Sequence, residues 1–187
     1  MNVSPKTQVL TALVLIVLGI LGRTVFHLGD NIEFVTVSTL LAASFLGFRW
    51  ALVVPLAIMF ISDLIIGNNL IFLFTWSAYP ITGLLGFFFL QNKKNVVSHI
   101  LTATLMGVIS SIIFFLWTNF GVWALDTFAM YPDNLSGLLD SYIMGIPFFK
   151  ANLYGNLILV PLSFVLFHFF FSWAKHFYLL KKILIAK

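Results

Sequence analysis

The chain has 187 residues, of which 61% are hydrophobic and only 9% are charged. A soluble domain carries about 25% charged residues, so this composition excludes a soluble fold and indicates a protein of the lipid bilayer. The formal net charge is +4, but in a membrane protein the positions of the charges matter more than their sum, and we do not expect nucleic-acid binding. The chain has no cysteine, which excludes disulfides, thiolate metal sites and cysteine nucleophiles.

Apolar stretches separated by polar clusters predict six membrane-spanning helices, because a span needs about 20 mostly apolar residues. In chain order they are Val9 to Gly22, Ile32 to Phe48, Trp50 to Gly67, Leu70 to Leu90, Val96 to Thr118 and Leu153 to Trp173. No repeat or linker divides the chain. Residues 1–187 are therefore predicted to form a single all-α transmembrane domain, a six-helix bundle.

Basic and acidic residues fall on opposite sides of this bundle, as the positive-inside rule requires. The side that holds both termini has eight basic residues and no acid: Lys6, Arg49, Lys93, Lys94, Lys175, Lys181, Lys182 and Lys187. The other side has all six acids, Asp30, Glu33, Asp63, Asp126, Asp133 and Asp140, with only Arg23 and Lys150 as bases. We therefore expect a multi-pass protein of the cell (inner) membrane with cytoplasmic N and C termini, in which residues 174–187 form a basic cytoplasmic tail.

The connection between the fifth and sixth spans, residues 119–152, is far longer than the usual median of about 4 to 6 residues. It is too aromatic and apolar to be disordered, and it has turn sequences at Tyr131-Pro132-Asp133-Asn134 and Gly145-Ile146-Pro147. Residues Leu135 to Ile146 between these turns can form a short helix. We predict a long extracytoplasmic loop that folds over the outer end of the bundle like a lid.

Signatures of catalysis are missing from the sequence. It has no zinc-protease motif, no nucleophile elbow, no Walker loop and no dinucleotide fingerprint. The four histidines, His27, His99, His168 and His176, include no pair at i and i+4 that could bind a metal from one helix. We therefore predict a protein that is not an enzyme and that uses no metal and no cofactor.

Polar residues collect at the outer ends of the predicted spans. Asp63 lies about one turn inside the outer boundary, where an acid needs a partner; that partner is either Arg23, in a structural ion pair, or a ligand. Asn119 and Trp123 are one helical turn apart, and so are Asn152 and Asn156. Amides can simply join helices and aromatic rings can be interface anchors, but together they are typical of a mostly apolar pocket with a few placed polar groups.

Five stretches of the sequence carry a resemblance to a known family. They are Ser62-Asp63-Leu64-Ile65-Ile66-Gly67, Thr118-Asn119-Phe120-Gly121-Val122-Trp123, Met130-Tyr131-Pro132 with Gly137-Leu138-Leu139, Ile146-Pro147-Phe148-Phe149-Lys150 with Asn152, and Gly155-Asn156. With them the chain resembles the S components, the substrate-binding membrane subunits of energy-coupling factor (ECF) vitamin transporters, and specifically a branch of predicted S components. The resemblance implies capture of a vitamin or related micronutrient outside the cell and its release inside after the bundle topples in the membrane.

The site residues that this hypothesis places around an outward pocket are Asp63, Asn119, Trp123, Tyr131, Lys150, Asn152 and Asn156. Asp63 and Lys150 would bind polar groups of the ligand, the amides would orient it, and Trp123 and Tyr131 would stack on a planar part.

The resemblance also implies partners, a transmembrane coupling subunit and two ATPases. Coupling subunits commonly dock on an Ala-x-x-x-Ala pattern in the first helix, whereas here Ala12 is followed by Ile16, which leaves Gly19 and Gly22 as the tight small pair. The protein therefore either uses another interface or works without the module. The alternative function is that of a structural membrane protein that organises partner proteins without transporting a ligand, since fold does not fix function.

Overall fold

The structure is a computed structural model, and it describes residues 4–26, 31–91, 93, 95–125 and 129–185, excluding the side chains of 171 and 173–185. Within these ranges the chain is helical and has no strand. The helices are α1 (Pro5–Thr24), α2 (Val35–Leu41), α3 (Phe48–Ile66), α4 (Phe72–Leu90), α5 (Val96–Ala124) and α6 (Leu135–Ile185). A π-helical turn, Ala42–Leu46, continues α2.

Five of the described helices are long and apolar enough to cross a membrane: α1, α3, α4, α5 and the Leu135–Phe170 part of α6. The prediction of an all-helical, multi-pass membrane protein is confirmed at this level. The predicted second span is shorter than the others, because its helix covers only Val35–Leu46. At about 1.5 Å per residue it is about 18 Å long, less than the hydrocarbon thickness of about 30 Å, so the count of six full spans stays a prediction.

Local capping residues fix where several helices begin and end. Ser4 starts α1 by accepting a hydrogen bond on Oγ from the backbone N–H of Thr7 at 3.3 Å, and Pro5 follows in the first turn, where its missing N–H does no harm. Asn95 caps α5 in the same way through the N–H of Ser98, at 2.9 Å. Gly47 and Gly67 bound α3 with φ of 96° and 79°, a region that glycine enters without strain.

Helix α2 forms the centre of the bundle. All seven of its residues are buried, and it contacts each of the other five helices. The remaining helices follow one another around it in the order α1, α3, α4, α5, α6, and in the described ranges α1 and α6 do not touch. Ser38 on α2 donates to the carbonyl oxygen of Leu15 on α1 at 3.0 Å, so its buried hydroxyl is satisfied.

Small residues let the helices approach closely, as expected in membranes. A Cβ on Gly83 of α4 would collide with the carbonyl oxygen of Ala51 on α3. On α1, Gly19 packs against Ile58, and Gly22 against Phe34. The small pair of α1 is therefore used inside the bundle, and it is not an outward surface for a coupling subunit.

The region predicted as a long lid-like loop, residues 119–152, is mostly helical. Helix α5 continues to Ala124 and α6 already begins at Leu135, so the predicted Leu135–Ile146 helix is the first part of α6. The physical reason is packing, because α6 runs antiparallel along α5. Tyr142 donates to the carbonyl oxygen of Leu116 at 3.1 Å and Ser141 to that of Asn119 at 3.2 Å, and α6 passes through Pro147 without ending.

The 51 residues of α6 correspond to about 76 Å of helix, so α6 extends well beyond a hydrocarbon layer of about 30 Å. Its backbone stays helical through most of the predicted tail 174–187, up to Ile185.

The two ends of the bundle differ in charge. The end where α1 and α3 begin, which we call the basic end, carries Lys6, Arg49 and Lys93, whereas the opposite, acidic end carries Glu33, Asp63, Asp133 and Asp140 together with Arg23 and Lys150. Asp30, Lys94, Asp126 and Lys187 lie outside the described residues, as do the side chains of Lys175, Lys181 and Lys182. Which end faces the cytoplasm stays a prediction.

Candidate functional site

A cavity of about 360 Å³ lies in the acidic half of the bundle. It is open on one side and is bounded by the segment before α2, the start of α4, the second half of α5 and the first third of α6. Its lining residues are Asn31, Ile71, Thr75, Ser111, Phe114, Phe115, Thr118, Asn119, Val122, Gly145, Phe148, Phe149 and Asn152. Small-molecule sites have volumes of about 300–1,000 Å³ and are mostly apolar with a few polar groups. This cavity belongs at the small end of that class.

Aromatic rings form the apolar walls of the cavity. Phe115 of α5 and Phe149 of α6 have ring centroids 4.8 Å apart, tilted by 36°. Phe114 packs against Tyr79 of α4 with centroids 5.3 Å apart. Planar ring faces on two helices favour a flat ligand, because aromatic groups prefer offset or tilted contacts with one another.

A row of side-chain amides joins α5, α6 and the segment before α2. Asn156 donates through Nδ2 to Ser111 Oγ at 2.9 Å and to Asn152 Oδ1 at 3.1 Å. Asn152 in turn donates through Nδ2 to the carbonyl oxygen of Asn31 at 3.0 Å. Asn31 has a φ of 59°, which asparagine tolerates better than most residues. The buried Asn156 therefore fixes Asn152 at the cavity wall.

Asn119 also lines the cavity, where α5 meets α6. Its Nδ2 donates to the carbonyl oxygen of Phe115 in its own helix at 2.8 Å. The side chain fits between α5 and α6 because position 145 is a glycine, where a Cβ would collide with the Asn119 amide.

A charged cluster lies on the other side of α4, between α1, α3 and the segment before α2. Arg23 Nη1 is 2.6 Å from Asp63 Oδ1 and donates to Ser62 Oγ at 2.5 Å. Arg23 Nε is 3.2 Å from Glu33 Oε2; the two charges attract at that distance, but Nε has no aligned hydrogen-bond acceptor among the described residues. Both Arg23 and Asp63 are largely buried, so the pair joins α1 to α3 in a place of low dielectric.

Both oxygens of Asp63 are occupied by protein groups. Oδ1 accepts from Arg23, while Oδ2 accepts from Trp76 Nε1 at 2.6 Å and from Asn68 Nδ2. Glu33 is held by Arg23 and by the hydroxyl of Tyr79, at 3.4 Å. The cluster is therefore held by contacts between different parts of the chain, and it does not line the cavity.

The structure brings together only some of the residues that the sequence nominates. Asn119 and Asn152 line the cavity, and Asn156 lies directly behind Asn152. Asp63, Trp123, Tyr131 and Lys150 are not among the lining residues. Trp123 donates from Nε1 to the Pro132 carbonyl oxygen at 3.2 Å, near the end of α5, and Lys150 is exposed on α6.

Several lining residues were not predicted from the sequence, although their spacing along the helix indicates them. Ser111, Phe115, Thr118 and Val122 fall on one face of α5 at i, i+4, i+7 and i+11, the spacing of a helix stripe. Extending the stripe from Asn119 would have found them. Thr75 and Asn31 carry no such signal, because they reach the cavity only through tertiary packing.

A second polar cluster lies near the basic end, where sequence spacing shows only separated histidines. His99 Nδ1 is 3.0 Å from His168 Nε2, and His99 Nε2 is 2.7 Å from Ser44 Oγ. Phe45 packs against both imidazoles. Across the described ranges, no three histidine or acidic side chains come together in a way that could hold a metal ion.

Comparison with curated proteins and with solved structures finds no significant match. Residues 3–179 match one family, described as "Family of unknown function (DUF6580)". Because this match covers nearly the whole chain, the protein belongs to the DUF6580 family.

Proposed function

We propose that the protein is the substrate-binding subunit of a membrane importer for a vitamin or related micronutrient, and that the cavity between α4, α5 and α6 is its binding site. The observation that carries this proposal is the cavity itself, with phenylalanine walls and two side-chain amides, Asn119 and Asn152, in its lining. Amides that only joined helices would not need to border a cavity of about 360 Å³.

The charge distribution supports the direction of binding. Lysine and arginine favour the cytoplasmic side, so the basic end with Lys6, Arg49 and Lys93 is proposed to face the cytoplasm. The cavity lies in the opposite half, and it is thus proposed to take its ligand from the outer face of the cell (inner) membrane. Both termini are then cytoplasmic.

The proposed partners are a transmembrane coupling subunit and two ATPases. Because Gly19 and Gly22 pack inside the bundle, a coupling subunit would contact α1 through its exposed apolar face, which includes Leu10, Val14 and Val17. The same apolar face can equally contact lipid. The proposal therefore includes a second form, in which the protein works without a coupling subunit and ATPases.

Thermal stabilisation of the purified protein by a panel of vitamins and their precursors tests the proposal. A ligand at 100 times its dissociation constant stabilises the folded state by about 2.7 kcal/mol, which raises Tm by about 5–10 °C in a chain of this size. Thr75→Phe places a phenyl ring in the cavity and should abolish the shift. Leu73→Phe is the matched control, because Leu73 is exposed on the same helix, and it should leave the shift intact.

Two results would contradict the proposal. One is a folded protein that no compound stabilises, which would favour the alternative of a structural protein that organises partner proteins. The other is a stabilising compound that Thr75→Phe and Leu73→Phe affect equally, because such a compound binds outside the cavity.

A further inference from the structure

The three hydroxyl groups that line the cavity already donate their hydrogens to backbone carbonyl oxygens. Thr118 donates to the Phe114 carbonyl oxygen at 2.7 Å, Ser111 to that of Gly107 at 3.1 Å, and Thr75 to that of Phe72 at 3.3 Å. A hydroxyl has one hydrogen and two acceptor lone pairs. Towards a ligand, these three side chains can therefore act only as hydrogen-bond acceptors.

The two lining amides keep both kinds of hydrogen-bonding capacity. Asn119 uses one N–H, to the Phe115 carbonyl oxygen, and no described donor reaches its Oδ1. Asn152 uses one N–H, to the Asn31 carbonyl oxygen, and one lone pair, for Asn156. Since a carboxamide has two N–H donors and two lone pairs on its oxygen, each amide retains one N–H donor and at least one acceptor lone pair.

None of the described residues that line the cavity is charged. The carboxylate of Asp63 is held by Arg23, Trp76 and Asn68 on the other side of α4, and Lys150 is exposed and is not among the lining residues. A charged group placed among the phenylalanines would lose its hydration without gaining a counter-ion, and this costs several kcal/mol. The lining therefore selects against ions.

We infer that the ligand is an uncharged, planar molecule of one or two rings with a cis-amide edge, an N–H beside a C=O as in cyclic imides and ureides. This inference rests on the proposed function. The cis-amide edge pairs with the Asn119 carboxamide, donor to acceptor and acceptor to donor. Further N–H groups of the ligand find the hydroxyl oxygens of Thr118, Ser111 or Thr75, and the ring lies against Phe115 and Phe149. A volume of about 360 Å³ suits one or two fused rings.

Quinazoline-2,4-dione is a suitable probe, because it is neutral, has two fused rings and carries cis-amide edges. Its 1,3-dimethyl derivative keeps the ring and the carbonyls but has no N–H. Binding to the purified full chain in detergent is measured by equilibrium dialysis and thermal shift. We expect the dione to bind and the dimethyl compound to bind at least about tenfold more weakly, the loss expected for two hydrogen bonds.

Asn119→Leu tests the assigned residue. Leucine is close to asparagine in shape, and the lost side-chain bond lies within α5, so the variant should fold with a Tm near that of the unchanged protein. It should weaken the dione about tenfold and reduce the preference over the dimethyl compound, because one of the two N–H hydrogen bonds of the dione is lost. Thr102→Ala is the control, because the Thr102 hydroxyl also bonds only within α5, to the Ser98 carbonyl oxygen, and it lies outside the cavity lining.

The outcomes separate the ligand class from the proposed function. If the dimethyl compound binds as tightly as the dione, or if Asn119→Leu leaves the preference unchanged, the inferred cis-amide recognition is overturned. If the anionic quinoline-2-carboxylate or a charged vitamin binds instead and Thr75→Phe blocks it, the importer site stands and the neutral ligand class falls. If neither the dione nor any vitamin binds, both proposals fail. Should Asn119→Leu not fold, the comparison of the two compounds on the unchanged protein still decides.

Discussion

The ion pair between Arg23 and Asp63 is open to a direct test of what it does for the fold. We predict that Arg23→Met strongly destabilises the protein, because it leaves Asp63 with only the neutral donors Trp76 and Asn68. It also leaves Glu33 with the Tyr79 hydroxyl as its remaining described partner. Two carboxylates then share a largely buried place without a cation. A neutral side chain of similar length keeps the packing, so the change isolates the charge.

The structure allows the size of the effect to be worked out. The Arg23 and Asp63 side chains are 12% and 6% exposed, and the ion-pair distance is 2.6 Å. At an effective dielectric constant of about 20, two unit charges at that separation attract by about 6 kcal/mol. Desolvation opposes part of this gain, and breaking a buried pair costs about 3–5 kcal/mol. For a chain of this length the corresponding fall in Tm is about 6–20 °C.

The assay is a double-mutant cycle with Arg23→Met, Asp63→Asn and the double variant, each followed by thermal unfolding in the same detergent. The double variant should lose about 1–3 kcal/mol less than the sum of the single losses, because no unpaired Asp63 charge remains. Lys150→Met removes an exposed cation from the same end of the bundle, and it should stay within about 0.5 kcal/mol of the unchanged protein.

A loss below about 1 kcal/mol for Arg23→Met, or strictly additive losses in the cycle, would refute the reasoning. In that case the pair contributes little to the fold.

Two further predictions concern packing and the histidine cluster. Gly83→Ala should lower stability by about 1–3 kcal/mol, because its new methyl group would collide with the carbonyl oxygen of Ala51; an unchanged Tm would mean that α3 and α4 separate easily. His99→Leu should lower stability by about 1–3 kcal/mol, because it leaves His168 and Ser44 without their shared partner. In the His99→Leu background, His168→Leu should lower Tm by less than it does in the unchanged protein. Fully additive losses would contradict the cluster.

The sequence was sufficient for the helices whose ends carry strong signals. The third and fourth predicted spans, Trp50–Gly67 and Leu70–Leu90, differ from α3 and α4 by two residues or fewer at each end. Glycine and polar clusters bound these segments, and the continuous apolar run between them predicts a single helix. The second predicted span overshoots at both ends, because α2 is buried on every side and its length is set by its neighbours and not by the thickness of the bilayer.

The sequence was insufficient for α6, where Pro147 and the preceding glycine indicate a turn. Proline removes one backbone hydrogen bond and usually ends a helix. Here packing of Phe149 and Tyr142 against Phe115 of α5 outweighs that local preference. The same limit applies to the site. Helical spacing nominates Asn119 and Asn152, and both line the cavity. Asp63 does not line it, because the charged cluster lies on the other side of α4, and this separation depends on tertiary packing that the sequence does not show.

The central position of α2 has a consequence for how the protein is made. Two of its hydroxyls can be satisfied early, since Ser38 bonds to α1 and Thr39 to its own helix. The bond from Asn152 to the Asn31 carbonyl oxygen, however, joins residues 121 positions apart. This hydrogen bond can therefore form only after the start of α6 has been synthesised. Contacts this distant in sequence form slowly, which makes α6 the element that completes the first half of the chain.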